Sequence, residues 1–205
     1  MGRYAMRSIQ HFTTVNQIII ADIDYPTAQK FADELNQKAS PLQLDVTDRQ
    51  TMEKAMEGVD IVVNTCGPYY QFAVPILRSA IDSGCHYLDI CDDWEPTIEM
   101  LKLDEKAKAA NVSATIGLGA SPGLTNMMAL IAARELDSLV GIVTGWDMGG
   151  IALDETGANQ STNAAMLHGV EQMTGKVKIF TKGRFTMVKP LQPRDVNYPG
   201  KAPFI

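Results

Sequence analysis

The chain has 205 residues, 45% of them hydrophobic and 20% charged, enough apolar material for a sizeable core and too much for a disordered chain. Its 18 Lys+Arg against 24 Asp+Glu leave a net charge of −6, the wrong sign for binding nucleic acid or an anionic membrane. No apolar run approaches the roughly 18 residues of a membrane span, Arg3 and Arg7 precede polar residues rather than the apolar stretch of a secretion signal, and three cysteines without close spacing give no disulfide framework, so a reduced, cytoplasmic protein is expected.

The opening residues read as a helix with Ala5, Ile9 and Phe12 on its buried face. Residues 15–21 form a continuous Ile-rich run, the pattern of a parallel strand buried on both faces. Asp24 and Thr27 are suited to cap the helix that follows, Pro26 fits its first turn, and Ala28, Phe31, Ala32 and Leu35 recur at helical spacing. Residues 42–46 read as a short strand, Asp48 as an N-cap, and Met52, Ala55, Met56 and Val59 as the next stripe, closed by Gly58. A buried strand follows at 60–66, stopped by Gly67 and Pro68. Phe72, Ile76, Leu77, Ala80 and Ile81 then share one helix face up to Gly84. Beyond it come a strand at 86–91, a more polar helix at 96–110, a strand at 112–117, and a helix opened by Pro122 with Leu124, Met128, Ile131 and Ala132 as its stripe.

Strands alternating with helices at this spacing predict an α/β fold: a doubly wound, mostly parallel, Rossmann-type sheet over residues 1–136. The pattern then changes. Residues 139–146 are strand-like, Gly149, Gly150 and Gly157 mark a loop, a helix is expected at 161–173, and 177–180 and 184–188 flank Lys182 and Gly183 as a hairpin. Residues 137–205 therefore read as the start of an α+β second domain. A Rossmann sheet begins with a strand and G-x-G-x-x-G before its first helix. This chain opens directly on the helix, and Asp22 follows Gly2 at the spacing of the ribose-binding acid. Gly2 thus reads as the last glycine of a fingerprint whose first strand and earlier glycines are absent.

Two segments carry a resemblance. VDIVVNTCGPYYQFAVPILRSAIDSGCHYLDI (59–90) and IGLGASPGLTNMMA (116–129) resemble the saccharopine dehydrogenase family, which includes lysine 6-dehydrogenases and carboxynorspermidine dehydrogenases. The likeness covers most of 2–136 and continues weakly through 161–188. It implies an NAD(P)-dependent oxidoreductase that transfers hydride at the C–N carbon of an amino acid or imine, with no metal. Consistent with that, the His and Cys positions offer no metal-ligand spacing. Relatives carry an upstream strand, a Gly-rich loop and a longer C-terminal half that supplies homodimer contacts, so an internal fragment is expected. A non-catalytic Rossmann-like fragment or interaction module is the alternative from a different class. A reductase acting on a C=C or C=O bond is a third.

Cofactor contacts are expected at strand ends and helix starts. Gly2 lets a pyrophosphate approach free helix N–H groups, unless it is merely a terminal residue. Asp22 can accept from both ribose hydroxyls and repel the extra phosphate of NADP, favouring NAD; a helix-capping role is its alternative. Asp45 and Val46 are implied by the resemblance to touch the adenine, or else simply end a strand. Asn64, Thr65, Cys66, Gly67 and Pro68 close the next strand, where Gly67 removes a Cβ facing the ribose and Pro68 stiffens the loop, unless the segment is only a tight strand-to-helix turn. Cys66 has no basic partner to make it a nucleophile. Tyr69, Tyr70 and the acids of 89–93 (DICDD), Asp93 among them, can face the nicotinamide and a cationic amine substrate, or be surface residues and a helix-start acid cluster. Ser121 to Asn126, with Thr125 and Asn126, can present helix N–H groups to a substrate carboxylate or the nicotinamide amide, or be a plain Pro-led helix start. His168, on an apolar helix face, reads as structural, and His11 and His86 as incidental. No catalytic acid or base is identified.

Overall fold

Residues 2–35, 37–145 and 174–193 are described by a computed structural model of the chain. The chain divides into two compact units, 1–151 and 152–205. The first alternates helices and strands: α1 (Gly2–Ile9), β1 (Ile18–Asp22), α2 (Tyr25–Glu34), β2 (Ala39–Gln43), α3 (Arg49–Ala55), β3 (Ile61–Asn64), α4 (Tyr69–Asp82), β4 (His86–Asp89), α5 (Trp94–Leu101), α6 (Asp104–Ala109), β5 (Ala114–Thr115) and α7 (Thr125–Arg134). The fold is the expected α/β class, every strand pair in this unit being parallel.

The parallel strands form two hydrogen-bonded sheets rather than one. β1 pairs with β2, Ile18 opposite Ala39 and Asp22 opposite Gln43. β3 pairs with β4, Ile61 opposite His86 and Asn64 opposite Asp89, and β4 pairs with β5. No ladder joins β1 to β3 among the described residues. β1 is also not buried on both faces: Ile18 is buried, but Ile19 and Ala21 are exposed. α2 buries Ala28, Phe31 and Ala32, whereas α1 buries none of its residues, and Phe12, expected on its inner face, is 56% exposed.

The core lies on the β3–β4–β5 side. α4 buries Ala73, Ile76, Leu77, Ala80 and Ile81 against Met52, Met56, Tyr87, Met100, Ala107 and Val112. A buried Leu such as Leu77 is worth about 1.5–3 kcal/mol. Gly84, with φ of +73°, ends α4 in the left-handed conformation that glycine adopts without cost. The Cys85 N–H then reaches back to the Ala80 carbonyl at 2.8 Å.

Several expected elements shift for local reasons. β2 ends at Gln43, not residue 46, because Asp45 Oδ1 accepts the Thr47 backbone N–H at 2.8 Å and turns the chain. The helix expected at 96–110 is two helices. The Leu103 N–H bonds the Met100 carbonyl three residues back, and Asp104 and Glu105 then supply the acidic first turn of α6. α7 begins at Thr125 rather than Pro122, because Ser121 is extended (φ −139°, ψ 125°) inside a wide turn over Ala120–Leu124. Its expected stripe is not buried: Leu124, Met128 and Ile131 are all exposed. Residues 139–145 form no strand.

In the second unit β6 (Val177–Thr181) and β7 (Arg184–Val188) form the expected antiparallel hairpin. Lys182 and Gly183 both have positive φ, 50° and 73°, the pattern of a tight two-residue turn. Gly149, Gly150, Gly157, the helix expected at 161–173 with His168, and residues 194–205 lie outside the described residues. No helix among the described residues is long and apolar enough to cross a membrane.

Candidate functional site

The carboxyl ends of β1 and β3 come together although no ladder joins the strands. A Cβ built on Gly2 would lie 2.6 Å from Thr65 Oγ1. The start of α1 therefore lies against the Thr65 side chain just beyond β3, so close that a Cβ at position 2 would have to displace it. Asp22, the last residue of β1, is close enough to Cys66 that its charge, after burial, pushes the Cys66 thiol up. Asp22 Oδ1 accepts the Asp24 backbone N–H at 3.0 Å. Asp24 is the N-cap position of α2; its own side chain takes the Thr27 hydroxyl at 2.5 Å rather than a helix N–H. Gly2, Asp22, Thr65 and Cys66, named from three separate sequence segments, thus share one neighbourhood.

Asp45 and Val46 stand beyond the end of β2. The Asp45 carboxylate accepts both the N–H and the hydroxyl of Thr47, which hold it below its usual range. Val46 packs against the core and, with Thr47, Arg49, Gln71, Phe72 and Arg78, lines a cleft of about 430 Å³. Pro68 is the N-cap residue of α4, and its carbonyl accepts the Gln71 and Phe72 N–H groups at 3.2 Å.

Tyr69, at the first position of α4, is half-buried. Burial, then the charges of Asp89, Cys91, Asp92 and Cys66, raise its hydroxyl pKa far above the ordinary value. Those causes place Tyr69 between the loop after β3 and the loop after β4. Tyr70 instead is exposed. Asp93 is half-buried at the N-cap of α5, its carbonyl accepting the Thr97 hydroxyl at 2.7 Å. The loop after β5 closes on this region, since a Cβ on Gly117 would meet Pro122 Cγ at 3.2 Å and the Cys91 carbonyl at 3.3 Å. Thr125 is half-buried, its hydroxyl donating to the Pro122 carbonyl at 3.3 Å, whereas Asn126 is exposed.

Asp89 differs from its expected role. It is 1% exposed, not an acid facing an amine. Its Oδ2 accepts the Tyr87 hydroxyl at 3.0 Å, and its Oδ1 accepts the backbone N–H groups of Cys91 (3.1 Å) and Gly117 (2.8 Å). Asn64 donates to the Tyr87 hydroxyl at 2.9 Å and accepts the Cys66 N–H at 2.9 Å. Asn64, expected with the strand-end loop as a cofactor contact, is instead turned into this buried pair, and sequence reasoning passed over Tyr87. The available signal was a polar residue closing the apolar run Ile61–Asn64 and a Tyr-x-Asp pair on the adjacent strand, whose alternate residues share a face. The remaining thiols are inert by burial: Cys85 is raised, and Cys91 is pushed up to about 12.

This arrangement sets helix N–H groups, which attract anions, beside a strand-end carboxylate whose Oδ2 has no hydrogen-bond donor among the described residues. Against known proteins, residues 1–115 match the family model described as "Saccharopine dehydrogenase NADP binding domain". The fold is similar to that of saccharopine dehydrogenase (L-Glu forming) from Saccharomyces cerevisiae, with a TM-score of 0.56 and 20% identity over 65% of this chain and 28% of that one. Triphenylmethane reductase from Citrobacter sp., solved with NADP(H), aligns with a TM-score of 0.44 and 18% identity over 65% of this chain and 50% of its own. The chain thus spans half or less of the length of either protein.

Proposed function

Because the chain belongs, through residues 1–115, to the saccharopine dehydrogenase NADP binding domain family, we propose that it holds a nicotinamide dinucleotide across the ends of β1 and β3 as part of an oxidoreductase. The supporting observation is the contact of Gly2 with Thr65 beside Asp22 and Cys66. The residues fit the adenosine half of such a cofactor. The α1 N–H groups suit a phosphate, and Asp22 Oδ2 suits ribose hydroxyls. Thr65 to Pro68 border the same space, with Asp45 and Val46 on the adenine side. When bound, the cofactor supplies hydride transfer at its nicotinamide ring.

On this reading the substrate is an amino acid or imine, reacting at its C–N carbon beside Tyr69, Asp93, Thr125 and Asn126. The loops that carry these residues meet near Cys91, Gly117 and Pro122. Asp22 gives the preference for NAD, since a carboxylate there opposes a 2′-phosphate. Titration calorimetry with NADH and NADPH on the 205-residue chain tests the proposal. NADH binding stronger than NADPH binding is expected. Tighter NADPH binding would overturn the cofactor assignment. No binding of either at several millimolar, a free energy weaker than about −4 kcal/mol, would overturn the site.

A further inference from the structure

The three strand-end loops of the candidate site are tied to one buried chain of hydrogen bonds. It runs from the Cys66 N–H to Asn64 Oδ1 (2.9 Å), from Asn64 Nδ2 to the Tyr87 hydroxyl (2.9 Å), from that hydroxyl to Asp89 Oδ2 (3.0 Å), and from Asp89 Oδ1 to the Gly117 and Cys91 N–H groups (2.8 and 3.1 Å). The Asp89 carbonyl also accepts the Leu118 N–H at 2.9 Å. Asn64, Tyr87 and Asp89 are 4%, 0% and 1% exposed. All three stand on paired strands, Asn64 opposite Asp89 in the parallel register. Each polar atom in the chain has its partner, the condition under which a buried network specifies geometry rather than weakening the core.

The Tyr87 hydroxyl is the joint. On one side Asn64 fixes the loop that carries Cys66 and Gly67. On the other Asp89 fixes the loops that carry Cys91 and Gly117. The hydroxyl itself touches none of the loop N–H groups. Burial first, then the Asp89 charge, keep it protonated far beyond neutral pH, so it always donates to Asp89 and accepts from Asn64. We propose that Asn64, Tyr87 and Asp89 are positioning residues that couple the backbone of the loop after β3 to that of the loop after β5 through the Tyr87 hydroxyl. Resting on the dinucleotide reading, this makes the loop proposed for the cofactor and the loop proposed for the substrate respond to each other.

Amide hydrogen exchange on the ligand-free chain decides it. Tyr87→Phe leaves every loop N–H with its acceptor in place. Independent hydrogen bonds would therefore leave exchange at Cys66 and Gly117 unchanged, and that result would overturn the proposal. Coupling predicts that both N–H groups lose protection together, by about 10- to 100-fold, the scale of one hydrogen bond to a charged group. The N–H groups of His86 and Tyr87, which bond the Asp60 and Ser113 carbonyls at 2.9 Å, serve as ladder references. An equal loss there would mean general loosening and would also overturn it. Asp89→Asn is the second variant, expected to cost the Gly117 and Cys66 N–H groups protection together; a loss at Gly117 alone would overturn the coupling. Adding NADH then separates the two readings. Wild-type chain should slow exchange at Gly117 on binding, and Tyr87→Phe should not. If wild type binds no NADH, the dinucleotide reading falls, while the ligand-free exchange still judges the coupling.

Discussion

Replacing Asp22 by Ser tests the site from two independent sides. Asp22 Oδ1 is engaged by the Asp24 N–H at 3.0 Å, which leaves Oδ2 for a ligand. One charge-assisted hydrogen bond from that oxygen to a ribose hydroxyl is worth about 1.5–3 kcal/mol. A 2′-phosphate about 5 Å away would be opposed by about 3 kcal/mol per unit charge at an effective dielectric of 20. Asp22 is half-buried, so solvent screens part of both terms. The NAD-over-NADP ratio should then fall about 10- to 100-fold in Asp22→Ser, read by calorimetry with both dinucleotides. The second readout needs no ligand. Asp22 is a cause, after burial, of the raised Cys66 thiol. Its removal should bring alkylation of Cys66 to lower pH, against Cys85 and Cys91 as slow buried thiols. Unchanged cofactor preference refutes the ribose role. Unchanged thiol titration refutes the placement of Asp22 beside Cys66.

Gly67→Val should abolish dinucleotide binding while moving the melting temperature only a few degrees, since Gly67 stands in the half-buried loop between β3 and α4; normal binding would remove this loop from the site. Leu77→Ala, at a position 1% exposed in the core, should cost about 2–5 kcal/mol and lower the thermal midpoint by about 5–15 °C. The Asp45 and Asp48 carboxyls are held below 3.8 by hydrogen bonds from Thr47 and Thr51. Their contribution is complete above that pH and lost as pH falls through the lower folded values. Denaturant midpoints should therefore drop below about pH 4, and the drop should be shallower in Asp48→Asn.

Most elements of the first unit were legible because their signals are local. The Ile-rich run, the Asp48 cap and the stripe ending at Gly84 each fix an element through its own neighbours. The boundaries that shifted were set by side chain to backbone bonds, as where Asp45 captures Thr47 and ends β2 early. The burial of β1 and α7 was not legible, because periodicity shows which face is apolar and not whether anything covers it. Leu124, Met128 and Ile131 keep helical spacing and remain exposed. In the site, spacing alone related Gly2 to Asp22, but only the folded chain brings Thr65 against Gly2. The role of Asp89 was misread because an acid in DICDD looks like a surface cluster until the register sets it opposite Asn64.

The seam between β1 and β3 carries the last prediction. β1 is paired with β2 and β3 with β4, and no ladder spans their facing edges among the described residues. Unpaired strand N–H and C=O groups cost free energy where water is excluded and recruit other strands where it is not. What links the two sides near their ends is the approach of Gly2 to Thr65 and of Asp22 to Cys66. Near that approach lie Gly2 and the start of α1, whose N–H groups can meet a phosphate. A parallel strand followed by Gly-x-Gly, fused ahead of Gly2, would pair with both edges and add N–H donors at the pyrophosphate. Those donors are worth about 2–4 kcal/mol, which tightens NAD binding about 30- to 1000-fold. The same fusion should raise the melting temperature and reduce self-association through the open edges. Calorimetry and melting curves on the two chains give the answer. Micromolar NAD binding by the 205-residue chain alone would mean that the α1 start suffices for the pyrophosphate. A fused chain that folds but gains neither affinity nor stability would mean that the seam does not admit a strand.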